Sequence, residues 1–200
     1  MISKLRLVLA SRSPRRLDVL HQLGLDPSVR SPEVDEACIA GESPETYVER
    51  LARSKAEAVA KEEPGALVIG GDTIVLSDNR LVGKPKDEDS ALETLLSLSG
   101  REHLVLTGLA LSEHDSTVSA VSSAEVFLRC FTEEEARNYV MTGEPMDKAG
   151  AYGIQGLGAS LVTRINGDYY TVMGFPIITF LDLLSRCRLR YDFGSLTRTK

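Results

Sequence analysis

Leu5-Arg6-Leu7-Val8-Leu9-Ala10-Ser11-Arg12-Ser13-Pro14-Arg15-Arg16 begins as a β-prone apolar run and ends as a helix start. Ser13 is placed as the cap and Pro14 as the first helical residue, where a missing N–H costs nothing. The helix carries Leu17, Val19, Leu20 and Leu23 and stops at Gly24. A strand feeding a helix N-terminus predicts an α/β fold, and the same junction predicts chemistry. Backbone N–H groups and the positive end of the helix dipole suit a phosphate. The hydroxyls of Ser11 and Ser13 add donors, and Arg15 and Arg16 add forks for phosphoryl oxygens. Cations in a first helical turn oppose the dipole, so stability alone does not account for them.

Working outward, Ser43-Pro44 repeats the start signal for a helix through about Glu62. Ala66 to Ile69 is a short buried strand closed by Gly70-Gly71, with β character resuming from Ile74 to Leu76. Asp87 to Ser99 reads as a helix. His103 to Leu111 and Thr117 to Leu128 read as strands joined by the polar turn Glu113-His114-Asp115-Ser116. Thr132-Glu133-Glu134-Glu135 is a capping box for a helix that ends by Gly143. The stretch from Gly143 to Gly158 is Gly-rich and aperiodic. Asn166-Gly167 predicts a hairpin between Leu161–Ile165 and Tyr169–Val172. A last helix runs from about Pro176 to Leu189, with Arg186, Arg188 and Arg190 at its negative end. The pattern predicts a mixed α/β sheet with flanking helices, in two lobes around a central cleft. With no repeat or linker, residues 1–200 read as one domain.

The chain has 200 residues, with 23 Lys and Arg against 29 Asp and Glu, a formal charge of −6. With 42% hydrophobic residues it has the composition of a globular protein, and coiled-coil, collagen-like and disordered classes are excluded. No run approaches the ~20 apolar residues of a membrane span, and Leu5–Ala10 is too short for a signal segment. A cytoplasmic location is expected, with no membrane partner. Cys38, Cys130 and Cys187 form no metal-binding pattern with the scattered His21, His103 and His114, so reduced thiols are expected. Cations gather within Met1–Arg16 while acids gather within Glu33–Glu49. An acidic chain with one short basic loop predicts a local anion site rather than a nucleic-acid surface.

Four further segments carry candidate chemistry. Asp72 follows Val68-Ile69-Gly70-Gly71 at the carboxyl end of a strand, where open α/β sheets place ligands; the glycines leave room for one, or simply form a turn. Lys55 lies on the apolar stripe of Val48, Leu51, Ala52, Ala56 and Val59, so it either snorkels to water or reaches a buried anion. Lys84 sits between Gly83 and Pro85, as an aimed ammonium or a surface turn residue. Glu33-Val34-Asp35-Glu36 is a solvated acidic loop or a source of Mg²⁺ ligands. Within Asp147–Gly156, Gln155 offers a donor and an acceptor to a base edge.

The ordered set Leu9-Ala10-Ser11-x-Ser13-Pro14-Arg15-Arg16, Val34-Asp35-Glu36, Arg50-Leu51-Ala52-x-x-Lys55-Ala56, Gly71-Asp72-Thr73-Ile74-Val75, Gly83-Lys84-Pro85 and Asp147–Gly156 resembles the Maf family over nearly the whole chain. The resemblance implies a Maf/ITPase-like fold and a nucleoside triphosphate pyrophosphatase. Within the family it resembles the dTTP/UTP branch. It further implies that Asp72 is the proton acceptor and that Arg15, Thr73 and Gln155 determine base specificity. Glu36 and Asp72 would hold a divalent cation, Mg or Mn, while Arg16, Lys55 and Lys84 meet the triphosphate. A homodimer is the family expectation. Arg12 stands where the family usually has a small residue, and Gly71 where it commonly has Ala. The rival expectations are a nucleotide-binding regulator of septum formation without catalysis, a nucleic-acid-binding module, and a pyrophosphatase of broader nucleotide preference.

Overall fold

The computed structural model describes residues 5–78 and 80–199. In chain order the elements are β1 (Arg6–Ala10), α1 (Pro14–Gln22), β2 (Ser28–Arg30), α2 (Pro44–Glu62), β3 (Ala66–Ser77), β4 (Arg80–Val82), α3 (Glu88–Leu98), β5 (Glu102–Glu113) and β6 (Ser116–Leu128). Then follow α4 (Glu133–Val140), β7 (Val162–Gly167), α5 (Tyr169–Val172), α6 (Ile177–Arg186), β8 (Leu189–Tyr191) and β9 (Leu196–Arg198). Six strands run in the order β2-β1-β3-β5-β6-β7, and β4 pairs with β3. β1 is parallel to both β2 and β3, while β3–β4 and β6–β7 are antiparallel, so the sheet is mixed as expected.

The chain divides into two compact units. The first holds the chain up to Asp72, Thr107–Ser122 and the chain from Met173; the second holds Thr73–Leu106 and Ser123–Val172. In the first unit α2 lies on the sheet through small residues, with Ala52 and Ala56 packed with Val8, Ala10, Val59, Ala66, Val68 and Ala110. Glycine permits this approach. A Cβ on Gly70 would stand 2.2 Å from the Ala52 carbonyl oxygen, and one on Gly108 would stand 2.6 Å from the Val48 carbonyl oxygen. Gly70-Gly71 therefore does not close a strand or form a turn: β3 runs unbroken through both to Ser77. In the second unit α3 and α4 cover a core that includes Leu95, Leu98, Val105, Val126, Phe131 and Tyr152. Both helices open with capping boxes, Asp87 with Ser90 and Thr132 with Glu135.

Two sequence expectations give way to tertiary structure. Tyr169–Val172 is a short helix rather than the second arm of a hairpin. Asn166 and Gly167 continue β7, pairing with Glu125 and Ala124. Asp168 then turns the chain: its carboxylate accepts the Tyr170 N–H at 3.1 Å and the Thr171 hydroxyl at 3.1 Å. The last helix ends at Arg186, so Arg190 belongs to β8 and not to a helix end, while Arg188 follows the cap and donates its N–H to the Ser185 carbonyl at 3.0 Å. The aperiodic stretch forms three 3₁₀ turns, Glu144–Asp147, Ala149–Ala151 and Gly156–Leu161. The three cysteines are unpaired thiols. Among the described residues no helix is long and apolar enough to cross a membrane.

Candidate active site

Side chains of the first unit converge at the carboxyl end of β1 and around Asp72 of β3. Pro14 starts α1 and Ser13 holds the extended cap conformation, but the Ser13 side chain makes no capping hydrogen bond. Ser11 does more: its Oγ accepts the Ser13 N–H at 3.1 Å and Arg16 Nη1 at 2.9 Å. With both lone pairs engaged, its own O–H is left to donate. Arg16 is buried and also donates Nε–H to the Gly174 carbonyl at 2.9 Å. Burial pushes its pKa down, Asp72 and Glu36 push it up, and Arg15 adds to the lowering. A guanidinium stays charged regardless, so Ser11 and Gly174 hold a fixed cation whose field reaches Asp72 and Glu36.

Lys55 is not a snorkelling lysine. Its side chain is 14% exposed, and Nζ lies 2.7 Å from Asp72 Oδ1 and 2.7 Å from Glu36 Oε1. The glycine-permitted approach of α2 to β3 carries the ammonium to Asp72. The acidic loop is strapped to the same helix. The Tyr47 hydroxyl donates to the Glu36 carbonyl at 2.9 Å, and Arg50 Nη2 donates to the Ala37 carbonyl at 3.0 Å. Arg50 also holds Glu42 with a two-pronged pair at 2.7 and 2.8 Å. Burial and nearby Cys38, Asp72 and Glu36 push the Tyr47 phenol up to about 12, so it stays a donor. Sequence reasoning missed Tyr47, because nothing in a helix's first turn signals which loop will lie against it.

Gly71 leaves space for a neighbouring side chain and not for a ligand. A Cβ there would meet Arg16 Nε at 3.1 Å and Leu109 Cδ2 at 3.2 Å. Arg12 is exposed and its Nε bonds Ser31 Oγ. Arg15 is half-buried.

The remaining candidates belong to the second unit. Thr73 is half-buried, while Lys84 and Gln155 are exposed. Gly83, next to Lys84, accepts the Gly150 N–H at 3.2 Å, which ties the lysine turn to the segment leading to Gln155. That segment wraps a carboxylate the sequence reading passed over, Glu144. Burial raises the Glu144 pKa, but the N–H groups of Gly158 and Leu157, the Tyr139 hydroxyl and Lys148 outweigh it and leave the group below the ordinary range.

Among the described residues no group of three or more His, Cys, Asp and Glu could hold an ion. A Mg²⁺-type ion needs fewer protein ligands, because it takes one or two carboxylates and fills its sphere with phosphate oxygens and water. Glu36 and Asp72 already converge on one cationic centre, the Lys55 ammonium, so this donor pair fits such an ion.

The family model described as Maf-like protein matches residues 6–187. The chain is 48% identical over 181 residues to the dTTP/UTP pyrophosphatase of Symbiobacterium thermophilum, covering 90% of this chain and 93% of the relative. It is 47% identical over 182 residues to the protein of the same name from Vibrio cholerae, covering 90% and 97%. The structure of the Staphylococcus aureus Ham1 protein superposes with a TM-score of 0.51 over 91% of this chain and 97% of that one, and at 16% identity it shows the shared fold alone. A match across nearly the whole chain, together with relatives this similar, makes the chain a member of the Maf family.

Proposed function

We propose that this protein hydrolyses dTTP and UTP to the monophosphate and pyrophosphate. The reading rests on one observation: Lys55 Nζ lies 2.7 Å from each of two carboxylates, and the field of the buried Arg16 reaches both. Two carboxylates suit a base and an ion ligand, and the fixed cations suit a polyanion. The names of the similar proteins point to the same substrates.

In the reaction a water oxygen bonds to the α-phosphorus and the bond from that phosphorus to the bridging oxygen breaks. Pyrophosphate leaves with the bond's electron pair. Asp72 takes the water's proton and aims the attack. Glu36 and Asp72 would hold a divalent cation, Mg or Mn, which when bound supplies Lewis-acid neutralisation of phosphate charge and a more acidic water. Arg16, fixed on the Gly174 carbonyl and Ser11, meets phosphoryl oxygens without reorganising. Lys55 neutralises charge as it develops, and Lys84 supplies a second ammonium. Ser11 and Ser13 donate hydroxyls at the start of α1. Arg15, Thr73 and Gln155 select the base. The family expectation of a homodimer and a cytoplasmic location accompany this reading.

The decisive experiment incubates the protein with dTTP and Mg²⁺ and separates the products. Equal amounts of dTMP and pyrophosphate are expected. Release of inorganic phosphate and dTDP, or tight binding of dTTP with no turnover across a panel of dTTP, UTP, CTP and 7-methyl-GTP, would overturn it.

A further inference from the structure

Gln155 is exposed at the end of a short irregular stretch, residues 152–155, between two 3₁₀ turns, yet a base-reading group must be placed to within a fraction of an ångström. Two side chains from outside the segment grip both of its ends. The Tyr139 hydroxyl accepts the Gly153 N–H at 3.0 Å and donates to Glu144 Oε1 at 2.8 Å. Glu144 Oε1 also accepts the Gly158 N–H at 3.0 Å, and Oε2 accepts the Leu157 N–H at 2.9 Å. One phenol and one carboxylate thus anchor the backbone on either side of Gln155.

The glycines of the segment complete the grip. A Cβ on Gly156, which has φ +70°, would stand 2.7 Å from Glu144 Oε2. One on Gly158 would stand 2.4 Å from the Tyr139 hydroxyl, and one on Gly153 would stand 3.0 Å from Glu144 Oε1. The backbone is drawn onto the two polar groups as closely as the absence of side chains allows. The anchors are themselves fixed. Tyr139 is buried in the second unit's core, and the Glu144 backbone carbonyl receives Lys148 Nζ.

We infer that Glu144 and Tyr139 are positioning residues for base selection, acting through the backbone of Gly153, Leu157 and Gly158 to hold Gln155 in its reading position. The inference rests on the reading that Gln155 reads the base. Glu144→Gln is nearly isosteric but replaces an acceptor with an N–H₂ group that faces a backbone donor, so one anchor opens. Tyr139→Phe keeps the ring in the core and removes the shared hydroxyl, which provides a second, independent variant.

The test measures kcat/KM for dTTP and CTP in the parent, Glu144→Gln, Tyr139→Phe and Gln155→Ala, together with inhibition by inorganic pyrophosphate and amide exchange at Gly153, Leu157 and Gly158. Glu144→Gln and Tyr139→Phe are expected to lower the dTTP-over-CTP ratio toward that of Gln155→Ala by roughly 10- to 100-fold, the cost of a misplacement of up to ~1 Å. The loss appears mainly in KM, pyrophosphate inhibition stays unchanged, and the three amides exchange faster. A merely structural role would weaken all ligands alike and leave the ratio where it was. If Gln155→Ala lowers the ratio and the two anchor variants do not, the positioning role is wrong while the role of Gln155 stands. If Gln155→Ala leaves the ratio unchanged, the base-reading role falls and the inference falls with it.

Discussion

Replacing Lys55 by methionine separates the two roles open to a lysine on an apolar helix stripe. Methionine keeps an unbranched stem of similar length and rejoins Leu51 and Val59, so packing is largely preserved. The loss is one ammonium with a 14% exposed side chain, 2.7 Å from each of two carboxylate oxygens. Those oxygens, each 2.7 Å from the same nitrogen, lie no more than ~5.4 Å apart. At that widest spacing, without the cation, they repel by about 3 kcal/mol at an effective dielectric of about 20, and water around Glu36, whose side chain is 59% exposed, screens the repulsion further. The exposed acidic loop can relax, so Tm should stay within ~4 °C of the parent, the equivalent of about 1 kcal/mol.

Turnover should behave differently. A unit charge ~4 Å from a developing phosphoryl charge is worth about 4 kcal/mol at the same dielectric. Removing one preorganised electrostatic contact costs roughly 10²–10³ in rate. Continuous assay of pyrophosphate release with dTTP should therefore show kcat/KM down by about 10²–10³-fold, with both KM and kcat affected. A variant that turns over within about threefold of the parent while losing more than ~10 °C in Tm would refute the reasoning, and Lys55 would then be a structural counter-ion.

Three other variants test neighbouring steps. Asp72→Asn should bind dTTP nearly as well as the parent by calorimetry yet release pyrophosphate roughly 10²–10⁴-fold more slowly; parental turnover would remove Asp72 from the role of base. Gly70→Ala drives a Cβ to 2.2 Å from the Ala52 carbonyl oxygen, a backbone atom that cannot swing aside. About 3 kcal/mol or more of stability should be lost, so Tm falls by ~6–12 °C by calorimetry, and an unchanged Tm would contradict the close approach of α2. His103 is 3% exposed and burial pushes its pKa down to about 4. The unfolded chain takes up that proton below about 6.5, so stability is flat above that pH and declines as the pH drops toward 4, by about 3 kcal/mol in all. Urea unfolding at pH 7 and pH 4.5 should show this slope in the parent and a shallower one in His103→Gln; equal slopes would assign the acid sensitivity elsewhere.

Features set by local chemistry were legible in the sequence. The Pro14 helix start, the Ser43 cap, which accepts the Thr46 N–H, and the Thr132–Glu135 capping box all occur where the residues place them. The candidate residues Asp72, Lys55 and Glu36, far apart in the chain, meet at one nitrogen. The Asn166-Gly167 signal misled because turn propensity is a short-range preference, and pairing of β7 with β6 overrides it. Glu144 stayed hidden for a related reason. A glutamate in an aperiodic stretch looks solvated until the backbone donors of residues 157 and 158 are seen folded onto it.

The sequence by itself determined the family, the helix starts and where cations and carboxylates gather along the chain, because caps, charges and motif order act over a few neighbours. Only the tertiary structure decided that Gly70 makes room for a helix and Gly71 for an arginine. It alone decided that Lys55 turns inward to two carboxylates and that a buried tyrosine and a half-buried glutamate hold the Gln155 segment. Each of these depends on the distance between segments remote in the chain, and no local preference encodes that distance.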